Sequence, residues 1–118
     1  MRYMLLMVAS PEADPASARS APESDEPCWL PWYREMTARG VLLIDGAQLQ
    51  PTTTATTVAV CAGETLLLDG PFAETKEQII GYNVIDVADL DEAVHVASRH
   101  PVTIRGGRVE IRPIIPAV

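Results

Sequence analysis

Three segments of this chain, YMLLMVA (3–9), VLLI (41–44) and IIGYNVI (79–85), are apolar at odd and even positions alike. Side chains alternate across a β-strand, so strands of this kind need cover on both faces of their sheet. Only two helical patterns are present to supply it. Trp29, Trp32, Tyr33 and Met36 fall at i, i+3, i+4 and i+7, one face of a helix, with Pro31 in the first turn and Gly40 as a C-terminal stop. Asp89 and Glu92 form a D-x-x-E capping signature ahead of Leu90, Ala93, Val94 and Ala97, a second amphipathic helix that ends at Pro101. TTVAV (56–60) and TLLLD (65–69) flank Cys61-Ala62-Gly63-Glu64 as a hairpin. RVEIRPI (108–114) closes the chain as a strand with Val109, Ile111 and Pro113 on one face.

The order β-α-β-(ββ)-β-α-β predicts an α+β sandwich with both helices on one face of the sheet. Irregularities are expected at Asp45-Gly46 and at Gly81, the latter as a bulge or a close backbone approach. Two helices leave the other sheet face bare, and a second copy of the chain is the simplest cover. Sheet-face packing therefore predicts a homodimer.

At 118 residues the chain fits a single domain, 1–118. Its net charge of −7 opposes binding to a phosphate backbone, which excludes DNA and RNA as expected partners. The two cysteines, Cys28 and Cys61, form no CxxC or metal-ligand spacing and fit a reducing compartment, with Cys61 read as a small core residue. No apolar run approaches the ~20 residues that cross a bilayer, and MRYMLLMVAS is short for a leader before acidic Glu12 and Asp14. A soluble cytoplasmic protein is expected. HExxH, GxSxG, P-loop and GxGxxG are all missing, so no metal or cofactor is expected.

Chemistry-bearing residues crowd into DGPFAETKE (69–77). As a turn, Gly70 takes a positive φ, Pro71 presets its own φ, and Phe72 plugs the edge of the core. As a site, the same turn aims Asp69, Glu74 or Lys76 into a cleft, where a partly desolvated carboxylate serves as acid or base. Trp29, Trp32 and Tyr33 are either core and interface residues or the walls of an apolar pocket, with the Pro/Ser/acid-rich loop 10–27 as its lid. His95 is expected to face solvent. His100 is expected at a helix end, where its protonated form meets the dipole favourably, and it is a second catalytic candidate. Arg105, Arg108 and Arg112 read as a turn and strand, or as a small basic site for a carboxylate or phosphate.

RYMLLMV (2–8), GVLLIDGAQLQP (40–51), ATTVAV (55–60), DGPFAETKEQIIGYNVIDVADLDEA (69–93) and HPVTIRGGRVEIRPI (100–114) together resemble the YciI-related (YCII) superfamily, in the branch named for its DGPF motif. The resemblance implies a ferredoxin-like βαββαβ sandwich, here with an inserted β-hairpin, dimeric in the manner of an α+β barrel. It also implies bacterial origin and genes that often neighbour extracytoplasmic-function sigma factors. Some relatives act on small molecules, with a histidine early in the first helix and an aspartate before its terminal glycine. This chain places Trp29 and Ala38 at those positions. Two functions follow as expectations. One is a small-molecule-binding enzyme doing acid–base chemistry (elimination or isomerisation) on an aromatic or carbonyl substrate, with Asp69 as the acid or base and Trp29, Trp32, Tyr33, Phe72 and Lys76 binding. The other is a non-catalytic sensor or accessory protein of a sigma-factor system.

Overall fold

The first strand, β1 (Arg2–Ala9), runs through the middle of an antiparallel sheet and sets its two faces. Tyr3, Leu5, Met7 and Ala9 are buried on one side, and Met4, Leu6 and Val8 on the other are only half-buried. The computed structural model describes residues 1–10, 27–73, 75 and 77–117. Of the expected lid 10–27, residues 11–26 lie outside the described residues, as do Glu74 and Lys76.

The remaining elements are α1 (Leu30–Ala38), β2 (Leu42–Gln48), a 3-10 turn (Thr52–Thr54), β3 (Thr56–Cys61), β4 (Glu64–Asp69), β5 (Gln78–Asp86), α2 (Leu90–Ser98), the short α3 (Pro101–Ile104) and β6 (Arg108–Pro113). The main sheet has the order β2-β5-β1-β6 with antiparallel neighbours, and β3 pairs with β4 in a separate two-stranded sheet. This mixed α+β arrangement of antiparallel sheets and three helices is consistent with a ferredoxin-like α+β fold.

The core lies between the helices and the inner sheet face, centred on Leu5, Met36, Ile85, Val96 and Val102. In α1 the predicted stripe divides: Trp32 and Met36 enter the core, whereas Trp29 and Tyr33 stay partly exposed. The Trp32 Nε1–H donates to the Val96 carbonyl oxygen at 3.0 Å, which removes the cost of burying an indole N–H and ties α1 to α2. Gly40, at φ 83°, ends α1 in a Schellman motif: the Gly40 and Val41 N–H groups donate to Thr37 and Met36 carbonyls, each at 3.0 Å. In α2 the capping signature forms as read. Asp89 Oδ1 accepts from the Glu92 N–H, and Glu92 Oε2 accepts from the Ala88 N–H, both at 2.9 Å.

The inward face of α2 differs from the one expected. Ala93, Val96 and Ala97 are buried, while Leu90 and Val94 are about half exposed. A face phased on 93, 96, 97 and 100 carries His100 into the core with it. That phasing packs small residues against the sheet and leaves the larger Leu90 and Val94 at its flank. Nor does the chain run straight on from Pro101, because α3 begins there, with Pro101 in its first turn.

The β3–β4 arm is exposed from Val58 to Asp69, including Val58, Val60, Leu66, Leu67 and Leu68. Cys61 sits at its tip in solvent rather than in the core, because among the described residues the arm packs on no inner face of the chain. The Cα radius of gyration is 16.1 Å, against roughly 13.5 Å for a compact domain of this length.

Candidate functional site

Two irregularities in the main sheet open a space beneath the first turn of α1. The β2–β5 register shifts between Leu43 and Asp45, one residue before the expected Asp45-Gly46. The β1–β5 register shifts between Met7 and Val8, opposite Gly81 and Ile79. After these shifts Gly46 pairs with Asn83, and Gly81 pairs with both Gln48 and Met7. Two glycines and an asparagine therefore stand together on the helix-facing side, where larger side chains would fill the layer. The strands also approach closely here. A β-carbon at Gly81 would stand 3.0 Å from the Ala47 carbonyl oxygen, and one at Gly46 would collide with the Asn83 carboxamide.

The result is a cavity of about 300 Å³. Its floor is Gly46, Gly81 and Asn83; its apolar walls include Met7, Leu43 and Ile80; Trp29, Tyr33 and Cys28 bring α1 and the turn before it to the rim. Trp29 and Tyr33 meet edge to face, ring centres 6.2 Å apart, so each holds the other over the opening. Asp45 lines the edge of the cavity, where its carboxylate accepts from the Gly46 N–H at 2.8 Å.

His100 is the buried titratable group of the site, only 6% exposed. It caps α3, its Nδ1 accepting the Val102 N–H at 3.1 Å, and its ring lies edge-on to Trp32 with centres 4.7 Å apart. Burial pushes its pKa down to about 4, so the imidazole is neutral near pH 7. With Nδ1 accepting, Nε2 carries the proton. The reading of His100 as a cation on a helix dipole is thus corrected: it starts a helix, and desolvation keeps it uncharged. His95 is exposed, as expected, with Nε2 accepting from Arg39 at 2.8 Å.

Of the residues singled out from sequence, Trp29, Tyr33 and His100 come together at the cavity. Trp32 does not line it, but supports it from the core through its contact with His100. Asp69 is exposed at the end of β4, opposite Thr56, and is not among the cavity residues. The turn after it is well anchored: Gly70 has φ 101°, its N–H donates to the Ala55 carbonyl at 2.7 Å, and its own carbonyl accepts from Thr57 Oγ1 at 2.8 Å. Phe72 does not plug the core edge, being 92% exposed. Thr75 Oγ1 donates to the Glu77 carbonyl. Arg108 and Arg112 stand near carboxylates, Glu77 at 4.0 Å and Glu110 at 3.5 Å respectively, as the strand reading of that segment implies.

Sequence reasoning missed Asn83, Gly46 as a floor residue, and Cys28 at the rim. A polar residue inside the otherwise apolar IIGYNVI was the available signal for Asn83. Among the described residues no group of three or more His, Cys, Asp or Glu is placed to hold a metal ion. No described helix is long and apolar enough to cross a membrane.

The YCII-related domain family matches residues 1–118, and the chain belongs to that family. It is also 50% identical over 72 residues to an uncharacterised protein of Rhizobium meliloti (strain 1021). That match covers 58% of this chain and 56% of the relative, so the chain spans little more than half of the relative's length.

Proposed function

We propose that this YCII-related protein is a homodimer that binds a small organic molecule in the cavity between α1 and the β2–β5 floor. One observation carries the reading: a concave space of about 300 Å³ with apolar walls, two aromatic rings at its rim and a few convergent polar groups. Small-molecule sites combine these features, and this volume lies at the small end of their range. A ligand of one or two rings fits.

Binding, rather than acid–base chemistry at Asp69, is the function the geometry favours, because Asp69 is exposed and outside the cavity lining. The dimer draws support from the outer sheet face. There Met4 pairs with Val84 and Leu6 with Tyr82, all half-buried, beside a polar row of Arg108, Glu110 and Arg112 on β6. The bare β3–β4 arm adds to this, since a two-stranded hairpin alone in water is marginal.

Cys28 provides the test. In a Cys61→Ser protein it is the one remaining thiol, and it lines the cavity. Small aromatic fragments are expected to slow its alkylation saturably and to raise the melting temperature over the same concentration range. If every fragment of a one- and two-ring panel leaves the alkylation rate unchanged at millimolar concentration, the cavity is not a binding site.

A further inference from the structure

The cavity is selective in what its polar atoms offer. Among the described residues, the Asn83 carboxamide and the His100 Nε2–H donate no hydrogen bond to the protein: Asn83 Nδ2 has no acceptor, and the one ring nitrogen of His100 in a hydrogen bond is Nδ1, which accepts. Among those residues no fully buried side-chain nitrogen or oxygen lacks a partner. Neither donor is therefore fully buried, and both residues line the cavity. An unpaired donor in a partly desolvated site favours a ligand that supplies an acceptor.

Charge narrows the choice further. Among the described residues no lysine or arginine lines the cavity, while the Asp45 carboxylate stands at its edge. An anionic ligand would lose its hydration to neutral donors and meet a like charge. The net charge of −7 acts in the same direction. Shape supplies the last condition. Beside Asn83, Gly46 and Gly81 add no side chains to the floor, and Trp29 with Tyr33 gives aromatic faces and edges above it. A flat ring packs into such a gap better than a branched aliphatic body.

We propose that the cavity is a site for neutral aromatic carbonyl compounds, with the ring held by Trp29 and Tyr33 and the carbonyl oxygen directed at the N–H donors of Asn83 and His100. This rests on the cavity being the binding site. It adds the ligand's charge state, the acceptor it must carry and the two residues that read it. Asn83 and His100 are binding residues here, and no covalent step is involved.

Three probes of similar size separate the two levels of the argument: acetophenone, which has ring and acceptor; ethylbenzene, which has the ring alone; and benzoate, which has ring, acceptor and charge. Their dissociation constants are read from protection of Cys28 in the full-length Cys61→Ser protein at pH 7.5. Acetophenone is expected to bind at least tenfold more tightly than either of the others, the ratio that one or two neutral hydrogen bonds supply. In Asn83→Leu the acetophenone-to-ethylbenzene ratio is expected to fall below threefold, with ethylbenzene binding retained. Ethylbenzene matching acetophenone within threefold in the wild-type background overturns the proposal while leaving the cavity as a site, and benzoate matching it does the same. Absence of protection by all three removes the site itself. The wild-type ratios decide the matter even if Asn83→Leu fails to fold.

Discussion

β1 and the β3–β4 arm are built from similar residues and meet opposite fates. In β1, Leu5 and Met7 are buried against α1, α2 and β6. In the arm, Val58, Val60, Leu66, Leu67 and Leu68 are all exposed. The difference lies in neighbours rather than composition. β1 is central in a four-stranded sheet with a helix layer above it, whereas among the described residues β3 and β4 pair only with each other. Apolar character states that a segment requires cover; topology decides whether its own chain provides it.

The contrast is sharpest in the cost of truncation. Leu5→Ala is expected to lower stability by about 3 kcal/mol, through lost burial and the void left in a packed layer. Urea denaturation at fixed protein concentration measures it, and a loss under about 1 kcal/mol would mean that the core is no better packed than the arm. His100 tests the buried side by pH. Its folded pKa of about 4 lies below the ordinary 6.5, so the unfolded chain takes up the proton first. Stability is then full above pH 6.5, falls between 6.5 and 4, and levels off below, a change of about 3 kcal/mol. His100→Asn keeps an acceptor for the Val102 N–H and should flatten this part of the profile. An unchanged slope in that variant would show that another group carries it.

The arm is probed by charge. Val58 and Leu67 face one another across β3 and β4, so Val58→Lys with Leu67→Glu keeps a favourable cross-strand pair while making the surface polar. If a second copy covers the arm, sedimentation equilibrium should show dimer dissociation raised at least tenfold. An unaltered constant would assign the arm no part in the dimer. The smallest effect is at the arm's tip. Ala62 adopts φ 50° and Gly63 φ 81°, the pairing that a two-residue type I′ turn requires and that alanine opposes. Ala62→Gly is expected to stabilise the protein by about 0.5–1 kcal/mol in urea, provided the arm unfolds with the rest.

Much of this architecture is legible from local signals. The hairpin shows itself through Ala62-Gly63 between two apolar runs, the end of α1 through Gly40, and the start of α2 through Asp89 and Glu92. The phase of α2 is less legible. Leu90 and Val94 outweigh Ala93 and Ala97 in hydrophobicity, yet the helix turns Ala93, Val96 and Ala97 inward. The cavity is hardest to read, because register alone brings Gly46 beside Asn83 and Gly81 beside Gln48. In sequence His100 reads as a helix-end histidine whose protonated form suits the dipole, whereas burial keeps it neutral.

A floor made of main chain has an evolutionary corollary. Side chains can be exchanged one at a time, but Gly46 and Gly81 admit no β-carbon without disturbing a neighbour, so the depth of the recess is inherited together with the strand register. The substitutions that leave the floor untouched are those at the rim and walls, at positions such as Cys28, Trp29, Tyr33 and Ile80. Substitutions in these few places would change the lining of the recess while its floor keeps its shape.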